Sequence, residues 1–301
     1  MSWSLFHELY SPRFSHYWQY SQGIQEPQAR YLKSYQKLTS GKNFTLSSQN
    51  PTGFDLCVNY TNIKENLEQY QENITYGKQL LSVSNNALNE VYGLFQKAYT
   101  LTLQGINATT SPSGLQAIVQ EVNSLQQRLV NVANTQGPDE QYLFAGQKTS
   151  TLPFTVSSNT LNYNGDTNNL SIEQGPGVLA TISIQAGTLF TQAYQTLETL
   201  KNDLTSGNGL TLSATDLKNV QTTMQDIAQQ QAFAGSQIQI LEEATNSNDR
   251  RIEHLKNQIA EIQDTDWSKA IMEYDEARNV YLAALESTSK IAQFSLLDFL
   301  H

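Results

Sequence analysis

The chain has 301 residues, with 18 Lys+Arg against 28 Asp+Glu and a formal net charge of −10. That acidic balance, with no concentrated basic patch, excludes the clustered cations that nucleic-acid binding needs. Charged residues make up only 15%, while Gln, Asn, Thr and Ser fill 112 positions, so there is too little apolar material for a thick core and too little charge for a disordered polyelectrolyte.

Residues 1–53 show no sustained apolar period, and Pro12, Pro27 and Pro51 are expected to interrupt whatever helices form there. The opening MSWSLFHELYSPRFSHYW has no basic start followed by an unbroken apolar stretch, so no cleavable secretory signal is expected. No run of ~18 apolar residues occurs anywhere, which predicts no membrane span. Cys57 is the single cysteine, too few for an internal disulfide or a thiolate metal site.

From Tyr60, alternate steps of three and four give Ile63, Leu67, Tyr70, Ile74, Gly77, Leu81, Ser84, Leu88, Val91, Phe95 and Ala98. That is a coiled-coil type of seam. Leu115, Ile118, Val122, Leu125, Leu129 and Val132 repeat it, with Ser113 as the expected cap. The segment 54–136 is therefore the first half of a helical rod.

Between 137 and 187 the helical period disappears, which predicts a small β domain. Tyr142–Ala145, Phe154–Val156 and Ala180–Ile184 read as short strands. Asn164-Gly165-Asp166 is a turn signal flanked by Leu161/Tyr163 and Leu170/Ile172, and Gly175-Pro176-Gly177 is another.

The period returns over 188–263, the second half of the rod. Phe190, Ala193, Leu197, Leu200 and Leu204 form one run, and a longer one leads from Leu217 through Val220, Ile227, Ala234 and Leu241 to Ile262. Ser213 to Asp216 has capping-box spacing ahead of it. Gln231, Thr245 and Asn248 intrude as polar layers. Such a helix would span about 70 Å at ~1.5 Å per residue. The predicted fold is mainly α: an elongated antiparallel helical bundle or coiled-coil rod with a small β insertion between helices.

At Asp264-Thr265-Asp266-Trp267 the phase slips, which sets off 264–301 as a C-terminal assembly helix. Its narrow stripe is Trp267, Ala270, Tyr274, Ala277, Tyr281, Ala284 and Ile291, and Leu296, Leu297, Phe299 and Leu300 form a terminal anchor. Alternating Ala and Tyr gives little burial within one chain. These eleven residues are the candidate assembly interface.

No catalytic, cofactor or metal site is expected. His7, His16, His254 and His301 have no partner at metal-ligand spacing, and Cys57 has no nearby His. Glu242-Glu243 and Asp249-Arg250-Arg251 read as a solvated helix face, and Glu253 and Glu261 likewise. Gly175-Pro176-Gly177 lacks the Lys-Ser/Thr of a phosphate loop. Asn43, Asn59, Asn73 and Asn107 begin Asn-x-Ser/Thr triplets, as chance provides in a chain this rich in Asn and Thr. Tyr142 and Phe144 read as core of the β insertion rather than a recognition surface.

Several motifs together resemble one family. The C-terminal Ser295-Leu-Leu-Asp-Phe-Leu300, after the Asp264–Trp267 step, is similar to the tail of the flagellar hook-associated protein 3 family, itself flagellin-like. So are Tyr142-Leu-Phe-Ala-Gly146, Lys148-Thr149, Pro153-Phe154 and Tyr163-Asn-Gly-Asp166. Leu38-Thr-Ser-Gly-Lys42 and Asn50-Pro51 resemble the flagellin-type turn, with Gln49-Asn50 standing where the family usually has acidic residues. The resemblance runs over about 30–301 in one consistent order.

It implies a non-catalytic structural subunit at the hook–filament junction of the bacterial flagellum, exported through the type III apparatus. Its implied partners are a ring of identical subunits, a neighbouring hook-associated protein, flagellin on the filament side and an export chaperone at the C-terminal segment. Terminal helices that order on assembly are implied too. The alternatives are a filament flagellin and a soluble helical type III translocator or adaptor.

Overall fold

The computed structural model describes residues 12–106, 111–206 and 214–297, with side chains described within 23–106, 111–206 and 215–290. Its elements run α1 (Pro12–Ser40), α2 (Pro51–Ile106), α3 (Pro112–Ala133), β1 (Phe154–Ser157), β2 (Thr160–Tyr163), β3 (Ser171–Gly175), β4 (Val178–Thr181), α4 (Gly187–Thr205), α5 (Ala214–Gln263) and α6 (Trp267–Leu297). The fold is mainly α, with a small β insertion between α3 and α4. Two compact units divide it, one from Met1–Lys64 with Glu253–His301 and the other Glu65–Ile252.

The predicted seams build the core of the larger unit. Leu67, Ile74, Leu81, Leu88, Val91, Phe95 and Ala98 of α2 are at most 2% exposed. Val122 and Leu129 of α3, Phe190 and Leu197 of α4, and Val220, Ile227 and Leu241 of α5 form one cluster with the α2 residues from Ile74 to Ala98. Each such Leu, Ile, Val or Phe side chain contributes about 1.5–3 kcal/mol of burial. The α2 stripe departs from expectation at its start, where Ile63 is 43% exposed.

The Gln231 and Asn248 side chains of the α5 seam bond across to other elements, as does the backbone at Thr245, whose hydroxyl donates back to the Leu241 carbonyl at 2.9 Å. Gln231 Nε2 donates to Asn89 Oδ1 at 2.5 Å, Gln71 Nε2 to the Thr245 carbonyl at 3.4 Å, and Asn248 Nδ2 to the Gln174 carbonyl at 3.1 Å. The acidic clusters on that helix are exposed, as predicted, yet they also pair: Lys78 Nζ lies 3.6 Å from Glu242, and Asp249 accepts from Gln71 at 2.6 Å.

Three local expectations are corrected. Proline does not interrupt the N-terminal segment, because Pro12 and Pro51 open α1 and α2 at the position where a missing N–H is harmless. Pro27 lies inside a continuous α1; the packing of the next turn, including Tyr31, on α6 offsets its lost hydrogen bond. The α3 cap is Ser111, whose Oγ accepts from Gly114 N at 3.2 Å with Pro112 following, while Ser113 is inside the helix. Ser213, the other expected cap, lies outside the described residues.

The third correction is strand pairing. β1 pairs with β2 and β3 with β4, both antiparallel. Ser158 and Asn159 turn the first hairpin at φ 51° and 60°, and Pro176-Gly177 turns the second. Asn164-Gly165-Asp166 docks instead of closing a hairpin. Asp166 N donates to the Ala145 carbonyl at 3.1 Å, and Asp166 Oδ1 accepts from Gln147 N at 2.9 Å. Gly146 sits at φ 68°, and a Cβ there would stand 2.3 Å from Asp166 Oδ1. Tyr142–Ala145 is accordingly a turn with a single bridge, Gln136 to Tyr142, and Phe144 is fully buried core.

A buried carboxylate joins α3, α4 and the first hairpin. Glu198 accepts from Gln126 Nε2 at 2.9 Å, from Asn159 Nδ2 at 3.0 Å and from Lys201 Nζ. Burial alone would raise its pKa, but these three hydrogen bonds and the Lys201 charge outweigh it and hold the pKa below the ordinary value. Tyr194 beside it is pushed up, by burial and then by the Glu198 charge.

Candidate assembly interface

The smaller unit is built around α1 packed on α6. A short backbone ladder aligns them from the turn between α1 and α2: Asn43 N donates to the Gln263 carbonyl at 2.7 Å, and Thr265 N to the Gly41 carbonyl at 2.9 Å. Asn43 Nδ2 adds a bond to the Asp264 carbonyl at 2.6 Å. Beyond that ladder Lys37 Nζ meets Glu273 Oε2 at 2.9 Å. Tyr31 then stacks on Tyr281 and touches Tyr274.

The flagellin-type turn works by capping. Gln49 Oε1 accepts from Thr45 N at 2.8 Å and from Leu46 N at 3.4 Å, and Asn50 Oδ1 accepts from Gly53 N at 3.0 Å ahead of Pro51. An amide oxygen thus does at both positions what a carboxylate oxygen would do. Phe44 fills the space beneath this turn and is buried. Cys57 is buried too, and desolvation raises its thiol pKa, with the Lys42 charge opposing.

The expected stripe on α6 divides. Ala270 is buried, and Tyr274, Ala277, Tyr281 and Ala284 are half-buried, whereas Trp267 is 57% exposed. Ile291, Leu296 and Leu297 are helical but their side chains lie outside the described ones, and Phe299 and Leu300 lie outside the described residues. The tyrosines of the stripe face α1 of the same chain. The Tyr274 hydroxyl's interaction with that of Tyr31 raises its pKa, with desolvation in the same direction.

A second apolar face of α6 escaped the sequence reasoning. Ile271, Leu282 and Leu285 are exposed, and at 100° per residue they fall within about 60° of one another. The signal was present as apolar residues off the stripe. A groove of about 450 Å³ between α1 and α6 has Arg30 and Lys33 on one rim and Glu273 and Glu276 on the other. Among the described residues no three His, Cys, Asp or Glu gather as a metal site, and no helix is long and apolar enough to cross a membrane. His254 is exposed on α5, and Glu253 and Glu261 are exposed as well.

Residues 15–149 match the bacterial flagellin N-terminal helical region. Flagellar hook-associated protein 3 of Escherichia coli (strain K12) is 23% identical over 313 residues, spanning 95% of this chain and 99% of that protein. Over its N-terminal part the chain is similar to bacterial flagellins, and over nearly its whole length to a hook-associated protein 3. Two solved structures share this fold. Flagellar hook-associated protein 3 of Legionella pneumophila, 13% identical, superposes with a TM-score of 0.60 over 69% of this chain and 98% of that one. A flagellar junction protein from the same organism, also 13% identical, gives 0.56 over 69% and 100%.

Proposed function

We propose that this flagellin-like chain is a structural, non-catalytic subunit that joins hook to filament in the bacterial flagellum. The observation that carries it is the full-length match to a hook-associated protein 3, 95% of this chain against 99% of that protein. A match confined to the flagellin N-terminal region would fit a filament subunit equally well; one that also takes in the β insertion and the C-terminal helix favours the junction.

The distribution of apolar surface supports assembly through the smaller unit. Of nineteen exposed large apolar side chains among the described residues, twelve belong to Met1–Lys64 and Glu253–His301. Exposed apolar surface at this density marks an interaction surface. In the proposal, residues 1–53 and 264–301 order fully on assembly, while 54–136, 137–187 and 188–263 form the two rod halves and the β domain. The stripe from Trp267 to Ile291 closes onto α1 and its neighbours, and Leu296, Leu297, Phe299 and Leu300 anchor the end. Neighbours are copies of the chain in a ring, a hook-associated protein on the hook side and flagellin on the filament side. The chain reaches them by type III export without a cleaved signal, escorted by a chaperone on its C-terminal segment.

Electron microscopy of hook–basal bodies from a strain lacking the chain tests this. Hooks without filaments, with flagellin shed into the medium, are expected. Filaments of normal length on those hooks would reject it.

A further inference from the structure

Helices α1 and α6 place four phenol rings in one continuous run. Tyr31 is its centre, with its ring centroid 5.5 Å from Tyr281 at an interplanar angle of 8°, and 5.6 Å from Tyr274 at 37°. Tyr35 extends the run, 6.3 Å from Tyr274 and 6.4 Å from Tyr31. Tyr31, Tyr274 and Tyr281 are half-buried, so packing holds the rings while their edges reach solvent. Three of the contacts cross between helices whose sequence positions lie far apart.

We propose that this cluster is a covalent modification site at which Tyr31 couples to Tyr274 or Tyr281 as a dityrosine, tying α1 to α6. The oxidant is hydrogen peroxide acting through a haem peroxidase. Two phenols each give up one electron and the hydroxyl proton. The two phenoxyl radicals join through ring carbons ortho to oxygen, and the hydrogen on each joined carbon moves to the neighbouring oxygen as the ring regains aromaticity. One peroxide takes up the two electrons and two protons and leaves as two waters. Radical coupling is otherwise limited by encounter, and rings already in contact remove that limit. The new bond constrains the unfolded chain as any long-range cross-link does.

The test treats isolated hook–filament structures, in which the proposed function has residues 1–53 and 264–301 fully ordered, with a haem peroxidase and limiting peroxide, and then dissociates them for separation of the chain. Expected are dityrosine fluorescence, a monomer that migrates faster on a denaturing gel, and a cross-linked peptide joining Tyr31 to Tyr274 or Tyr281 by mass spectrometry. Tyr31→Phe keeps the ring contact and should lose this intramolecular product, with its melting temperature confirming an intact fold. Tyr142→Phe, in the other unit, should leave the yield unchanged. A cross-link without Tyr31, coupling only between molecules, or oxidation confined to exposed Trp267 and Met272 would overturn the proposal.

Discussion

Gly77 on α2 lies directly against Ile182, so close that a Cβ at position 77 would stand 2.7 Å from the isoleucine Cγ2. Ile172 Cδ1 closes the other side at 2.8 Å. The β insertion docks on the helix at this notch, which explains a glycine in the seam.

Gly77→Ala should therefore lower stability by about 1–3 kcal/mol through overpacking, despite the ~1 kcal/mol gain in helix propensity. Gly93 on the same helix faces open space, so Gly93→Ala should raise stability by up to ~1 kcal/mol. Thermal unfolding followed by circular dichroism separates the two. Shifts of the same sign would show that the notch is not a packing constraint.

The seams were legible because a three–four step survives only where one helix face is continuously buried, as from Leu67 to Ala98. The β insertion was legible as a loss of that period, but its pairing was not. Asn164-Gly165 carries the strongest hairpin signal in the segment, yet Asn164 N donates to the Pro153 carbonyl and Asp166 binds the Ala145–Gln147 loop. Ser158-Asn159 turns the hairpin without a glycine. The α6 stripe was legible as a face, while its partner was hidden. Tyr31 and Tyr35 lie in a stretch with no repeating seam, and only the fold brings them to Tyr274.

Glu198 gives the structure a defined response to acid. Its folded pKa is lowered by the net effect of its partners, so its contribution is complete above the ordinary Glu value of 4.5 and is lost as pH falls through the folded value. Glu198→Gln should flatten that part of the stability–pH curve measured by urea unfolding. Glu198→Ala should cost about 3 kcal/mol at neutral pH, because Lys201 and Gln126 lose a buried acceptor. Identical acid limbs for wild type and Glu198→Gln would contradict this.

Asn248 ties α5 to the bulged strand β3. Asn248→Ala should cost about 1–3 kcal/mol by leaving the Gln174 carbonyl short of a donor, and should speed hydrogen exchange in β3 and β4. Asn246 on the same helix is exposed, and Asn246→Ala should change stability by less than ~0.5 kcal/mol. Equal effects would show that the polar layer does not hold the hairpin.

Folding and assembly should separate by face. Leu241→Asp places a charge at a fully buried position and should cost several kcal/mol, on the order of a buried unpaired charge. Ile271→Asp and Leu285→Asp alter exposed positions and should shift stability by less than ~0.5 kcal/mol while abolishing incorporation into the flagellum. Unfolding curves paired with motility assays check both. Motile cells carrying both α6 charges would remove that face from the assembly surface.

The proposed function places the chain at the hook–filament junction. An epitope inserted at the exposed Pro176-Gly177 turn, followed by gold labelling of intact hook–filament structures in the electron microscope, tests it most directly. A single narrow band of label where hook meets filament is the predicted result. Label along the whole filament, or none on the structure, would contradict it.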